Sequence, residues 1–411
     1  MDAVITAAAQ ALAAGNPLGA LKRVALREDA AALALRGIAM AQLGDFGRAK
    51  DLLKRAAKAF GPKEAVARAR CAVAEAEIAL VSRDLGWPEE ALENARTVLE
   101  KHGDRLNAAH ARHLKARRRL LVGKLDDAER ELADLDPTPF PPASRAAYEL
   151  AVAGIAIRRI RITAARAGLS RAEKAARAAG IPALQGEVEA ALRELDAPAA
   201  RLLAHGEEKL LKLEDVETLL ASSTLVVDAC RLVVRDADTV VSLGRRPVLF
   251  ALARALAEAW PADASREVLL ARAFRAKHVD ESHRARLRVE IGRLRTSLKA
   301  LAKLSATKNG FALAPLDKKR TGKRDVVVLA PPVEDENAAV LAFLADGEAW
   351  SSSALATALG ASQRTVQRSL DELAETGKAQ SFGQGRAKQW TSPPVAGFTT
   401  TLLLPGPLPG D

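Results

Sequence analysis

Three stretches of the chain repeat one another. LGDFGRAKDLL, LGWPEEALENA and VGKLDDAEREL set Gly44, Gly86 and Gly123 each five residues ahead of Ala49, Ala91 and Ala128, and the glycines lie 42 and 37 residues apart. Such a period is that of stacked helix pairs. Each glycine falls between two helical apolar patterns, where a tight turn needs a permissive backbone. Each alanine opens the apolar face of the following helix, where a small side chain lets two helices approach closely. A single pair cannot bury its apolar face alone, so the copies must stack. A helical array is therefore expected over residues 1–205, with two further hairpins across 145–195. Its concave face would dock a protein, a peptide or a small ligand; the competing reading is a stalk or dimerisation arm.

The motif resembles the tetratricopeptide repeat (TPR). Gly37, Gly44, Ala49, Leu53 and Ala56 fall at that repeat's small and apolar positions, whereas its bulky aromatic positions hold Leu, Met or Ala and the later copies carry Ala79 and Ala116 in place of Gly37. His110 and His113 stand at i, i+3 beside Arg117-Arg118-Arg119. Too few further ligands accompany them for a metal, so they read as a solvated helix face.

Charge is uneven along the chain. Of its net +11, residues 221–330 carry 22 Lys and Arg against 11 Asp and Glu, while residues 331–411 carry 5 against 9. A local basic block points to a polyanion, nucleic acid first. Within it, TLVVDACRLVVRDADTVVSL reads as two or three antiparallel strands. A helix is expected from Arg245 to Ala259, a second capped by Ser265, and a third over Glu281–Leu304. The strand pair SATKNGFALAP turns at Asn309-Gly310. The third helix has an apolar stripe at Leu287, Ile291, Leu294 and Leu298, one helical face. Its other faces carry Arg284, Arg286, Arg288, Arg293, Arg295 and Lys299. A helix fits the major groove of duplex DNA, where arginine pairs with guanine edges or phosphates.

SREVLL, LRVEIGRLRTSL and GFAL make residues 221–315 resemble the winged-helix effector domain of OmpR/PhoB-type regulators. The resemblance implies that Arg286, Arg288, Arg293 and Arg295 lie on or near the DNA-facing surface, with Lys308 in the wing. Two residues depart from it: Glu290 at a contact-prone position, and Gly292 inside a helix, where glycine costs about 1 kcal/mol. No receiver domain with its phospho-acceptor pattern precedes the block, so phosphorelay control is not implied.

Residues 316–333 include KKRTGKR and Pro331-Pro332 and read as a flexible basic linker. Residues 334–394 then form a second unit. Leu355, Ala358 and Leu359 pack one helix, Gly360 turns the chain, and Ser362 caps a helix with Val366, Leu370 and Leu373 on its buried face. This is similar to the helix-turn-helix of bacterial winged-helix repressors. The resemblance places Gln363, Arg364, Thr365, Gln367 and Arg368 on the exposed side of a recognition helix, with Arg386 and Lys388 on a wing spanning Gly383 to Trp390. The acidic balance of the segment leaves dimerisation or partner binding as its rival role. The tail, residues 395–411, is either an edge strand or an unstructured end.

The fold class expected is thus mainly α and multi-domain: TPR-like hairpin repeats plus two α+β winged-helix domains. No HExxH, GxSxG or Walker A pattern occurs, so the chain reads as not an enzyme, with no cofactor and no metal. Cys71 and Cys230 are far apart and read as small core residues of a reduced, cytoplasmic protein. The first residues lack a signal-peptide pattern and no apolar run is long enough to span a bilayer, so no membrane partner is expected. The function expected is a DNA-binding transcription regulator, binding double-stranded DNA as a homodimer or a single chain, with the repeats as sensor or docking domain. The alternative is a scaffold or adaptor that binds only proteins.

Overall fold

The structure is a computed structural model that describes residues 2–392 apart from 82–86, 122–123, 139, 275–280, 317–323, 333–336, 345–349, 360 and 386–387. The chain is mainly helical with a few small sheets. It divides into two compact units, residues 1–194 and, in the main, 195–381 with 387–393.

In the first unit the helices are, in order, α1 (Ala3–Ala13), α2 (Pro17–Val24), α3 (Ala30–Gln42), α4 (Phe46–Ala59), α5 (Ala65–Val81), α6 (Glu89–Lys101), α7 (Arg105–Leu121) and α8 (Leu125–Ala133). Short polar residues start the early ones. The side chains of Asp2, Asn16, Asp29 and Asp45 accept from the free backbone N–H groups of α1, α2, α3 and α4. Gly44 sits at φ +87° between α3 and α4, as its place in the repeat requires. Ala49 and Ala128 are fully buried, as expected of small residues at a close helix approach, whereas Ala91 is only half-buried. Gly86 and Gly123 lie outside the described residues.

Residues 145–195 hold parts of three helices where two hairpins were expected: α9 (Pro142–Arg158), α10 (Ile162–Ala179) and α11 (Pro182–Asp196). The array also ends earlier than residue 205. From Pro198 the chain is a strand, and that strand joins the sheet of the second unit.

The expected solvated face of α7 is instead buried. His110, His113 and Arg117 are 4%, 2% and 5% exposed, and Glu77 of α5 is 1% exposed. The ring of His110 hydrogen-bonds the Glu77 carboxylate, Nε2 to Oε2 2.9 Å. Burial pushes the His113 imidazole well below the usual histidine range, and Arg117 and His110 nearby push the same way. Burial likewise lowers the Arg117 guanidinium, opposed by Glu77 and by Glu187 of α11. A sequence reading assigns such residues to water because an unpaired buried charge is costly. Here partners from helices distant in sequence meet them. Arg118 and Arg119 are partly buried rather than solvated; Arg118 Nη1 donates to the Trp87 carbonyl at 2.7 Å and Arg119 pairs with Glu89.

The second unit opens with a hairpin, β1 (Pro198–Ala204) and β2 (Glu207–Lys212), turning at His205-Gly206, and continues through α12 (Leu213–Ala221) to the short strands β3 (Leu225–Asp228), β4 (Val233–Arg235) and β5 (Val240–Ser242). Then come α13 (Pro247–Ala259), β6 (Ala264–Ser265), α14 (Arg266–Phe274), α15 (Glu281–Leu298), β7 (Ala302–Ala306), β8 (Gly310–Pro315) and β9 (Val326–Ala330). The helix over Glu281–Leu304 thus ends at Leu298, and its last expected turn is strand β7 instead.

The larger sheet runs β2-β1-β9-β3-β4-β5. β9 pairs antiparallel with β1 and parallel with β3, Val226 opposite Val327. All five residues of β9 are buried. This corrects the linker assigned to residues 316–333. Residues 317–323 lie outside the described residues, but Val326–Ala330 is a central strand and Arg324 is buried in an ion pair with Asp236, 3.2 Å. VVVLA is an uninterrupted apolar run, the pattern of a strand covered on both faces; the charges and prolines around it obscured that signal. The sheet, α13, α14, α15 and the β7–β8 hairpin enclose one core.

The last segment folds as α16 (Ala338–Leu344), α17 (Ser352–Leu359), α18 (Gln363–Glu375) and a hairpin of β10 (Gln380–Phe382) with β11 (Gln389–Thr391). Its core gathers Val340, Phe343, Leu344, Leu355, Val366, Leu370, Leu373 and Trp390. Leu232, between β3 and β4 at φ +54°, packs against both this core and that of α13–α15. Among the described residues no helix is long and apolar enough to cross a membrane.

Candidate nucleic-acid interface

α15 carries the strongest candidate surface. Leu287, Ile291, Leu294 and Leu298 are at most 2% exposed, so the apolar stripe faces the core. Arg284, Arg286, Arg288, Arg293, Arg295 and Lys299 are all exposed.

They are not equivalent. The Arg286 guanidinium lies over the ring of Phe274, at the end of α14, 4.8 Å from its centroid. An aromatic face holds a guanidinium without using its N–H donors on a carboxylate. Arg293 is committed to Glu290, Nη1 to Oε1 2.8 Å. Arg295 Nε donates to the Leu304 carbonyl at 3.2 Å, directed at the hairpin. The N-terminal half of α15 carries Arg284, Arg286 and Arg288, all exposed. Glu290 is 12% exposed along its side chain and paired with Arg293, so the repulsion that a carboxylate at this position exerts on phosphate is muted. Gly292 still has no structural reason: among the described residues nothing outside its own helix backbone lies within 4 Å of where a Cβ would sit. Gly292→Ala is expected to raise stability by about 1 kcal/mol, read as a higher urea midpoint.

The β7–β8 hairpin brings Lys308, exposed at its tip, to the same module. Three consecutive carbonyls of that tip turn to one residue: Arg266 donates from Nη2 to Thr307, from Nη1 to Lys308 and from its backbone N–H to Asn309. Thr307 is tied to Asp263, and the Gly310 N–H donates to the Thr307 hydroxyl at 2.9 Å. Arg266 and Phe274 thus position the candidate contact residues. Sequence reading passed over both, because neither fits a contact motif and their partners are fixed only by the fold.

In the C-terminal module Ser362 caps α18, its Oγ accepting from the Thr365 N–H at 3.1 Å. Val366, Leu370 and Leu373 are buried. Gln363, Arg364, Thr365 and Arg368 are exposed and Gln367 is half-buried. Several of these polar groups engage other side chains of the module: Gln363 donates to Ser352 Oγ at 3.3 Å, Gln367 to Asp371 at 2.9 Å, and Arg368 approaches Glu372 at 3.7 Å. Lys388 lies over Trp390, 4.3 Å from the ring centroid. Arg386, Gly360 and the tail lie outside the described residues, as does the side chain of Ala358.

Elsewhere, no group of three or more His, Cys, Asp or Glu among the described residues is placed to hold a metal ion. Cys71 is buried, Cys230 is half-buried, and burial pushes both thiols up to about 12. Comparison with known protein families, with characterised proteins and with solved structures finds no match for the chain.

Proposed function

We propose that this protein is a non-enzymatic regulator that binds duplex DNA through its second unit. The observation that carries the reading is the division of α15: its leucine and isoleucine side is sealed into the core while five arginines, with Lys299 just beyond the helix end, stand in solvent. A surface helix needs its apolar face buried; it does not need that density of arginine. On this reading residues 221–315 act as a winged helix, α15 enters the major groove with its exposed arginines, and Lys308 on the hairpin reaches the backbone. The first unit serves as a TPR-like sensor or docking array.

The intramolecular pairing of Gln367 and Arg368 and the acidic surplus of residues 331–411 favour a different role for the C-terminal module. There we place a protein contact, either with a second copy or with a partner, ahead of base readout.

The test is a titration of the full chain into a labelled random-sequence duplex at several salt concentrations. Log affinity should fall on log salt with a slope steeper than about −3, since each neutralised phosphate contributes roughly −0.9. No binding at low salt, or a flat dependence, would reject DNA as the partner and leave the protein-only scaffold.

A further inference from the structure

The buried polar cluster of the helical unit takes no part in the reading above. Glu77 comes from α5, His110, His113 and Arg117 from α7, Tyr148 and Glu149 from α9, and Glu187 from α11. We propose that His113 makes this cluster an acid-triggered latch: a proton on its ring places a second cation beside Arg117 where water does not reach, and α7 then parts from α9.

Among the described residues no acceptor stands at the His113 Nε2 to receive that charge. The atom has no hydrogen-bond partner among the described residues, although it is buried. The ring's other polar contact is with the Ala147 backbone of α9. Its centroid lies 6.2 Å from the His110 ring and 6.5 Å from Tyr148. Each nearby carboxylate is engaged elsewhere. Glu77 is bonded by His110, Glu187 acts on Arg117, and Glu149 forms an ion pair with Arg171 of α10 at 2.9 Å, although its buried Oε2 takes no hydrogen bond. The Tyr148 hydroxyl donates to the Leu132 carbonyl at 3.3 Å. On the side of α7 facing α6 and α8, Lys115 pairs with Glu93 and Glu131, so those acids are also occupied. A protonated His113 would be a buried cation next to a buried cation, and burying an unpaired charge is what an interior tolerates least.

The sign follows from linkage. His113 is neutral in the folded chain, whereas a solvated histidine charges near pH 6.5. Stability is therefore fully present above that value and is lost as pH falls below it, about tenfold in the folding equilibrium per pH unit. A region that opens this way works between about pH 5 and 6.5.

The test measures hydrogen exchange of α7 and α9 in the full chain at about pH 7.5 and about pH 5.5, corrected for the intrinsic rate. Protection should drop roughly tenfold in the wild type. It should drop little in His113→Gln, whose amide can still donate to the Ala147 carbonyl but cannot titrate. Equal acid sensitivity in the two proteins would overturn the proposal, as would wild-type protection that does not change. If His113→Gln fails to fold, nitrogen-resolved imidazole spectra of the wild type decide instead. A His113 that charges near pH 6.5 while α7 and α9 stay protected would overturn it equally; charging that coincides with loss of protection supports it.

Discussion

Gly310→Ala should cost the second unit about 3 kcal/mol, a large loss for one methyl group. A Cβ at this position would sit 1.8 Å from the Ala264 carbonyl oxygen and 2.9 Å from the Ser265 Cα. Both obstacles are backbone, so no rotamer change relieves the clash. Strand β6 would have to leave β8, giving up the Ala264–Phe311 and Ser265–Gly310 pairs. The Arg266 contacts that hold the hairpin tip start one residue later and would go with them. The expected reading is a fall of roughly 1 M or more in the urea midpoint of the second unit with little change in slope. Lys308→Ala, at the exposed tip of the same hairpin, should stay within about 0.5 kcal/mol. Equal effects from the two variants would show that β6 does not hold the hairpin as described.

Replacing Arg286 and Arg288 together by alanine should weaken duplex binding by about 100-fold, since a well-placed arginine contact is worth roughly 1–3 kcal/mol. Both side chains are exposed, so the loss of stability should stay at about 1 kcal/mol, the scale of the Arg286–Phe274 contact. The salt slope should become shallower by about 2, one for each lost phosphate-neutralising group. Arg293→Ala should matter less, because Arg293 is already paired with Glu290. Binding that survives the double substitution unchanged would remove α15 from the interface.

The parts of this fold that could be read in the sequence were those set by local periodicity. The stripe from Leu287 to Leu298, the caps at Ser265 and Ser362, the turn at Gly44 and the hairpin about Asn309 each depend on residues within one or two helical turns. They emerged where the pattern placed them. What could not be read depends on partners remote in the chain. Nothing near His113 says that α9 covers it, and nothing near Phe274 says that Arg286 will lie across its ring. The strand Val326–Ala330 stood in plain view as five apolar residues, but its neighbours β1 and β3 lie more than a hundred residues earlier, so its context resembled a connector.

The insertion of β9 between β1 and β3 also governs the order in which the second unit can be made. Until residue 330 has left the ribosome, the first hairpin and the β3–β4–β5 meander are two separate fragments, each offering an unpaired hydrogen-bonding edge. Such edges invite wrong partners, and pairing across so long a stretch of chain is slow. The unit therefore has a vulnerable interval during synthesis, and the late arrival of a single short valine-rich segment brings it to an end.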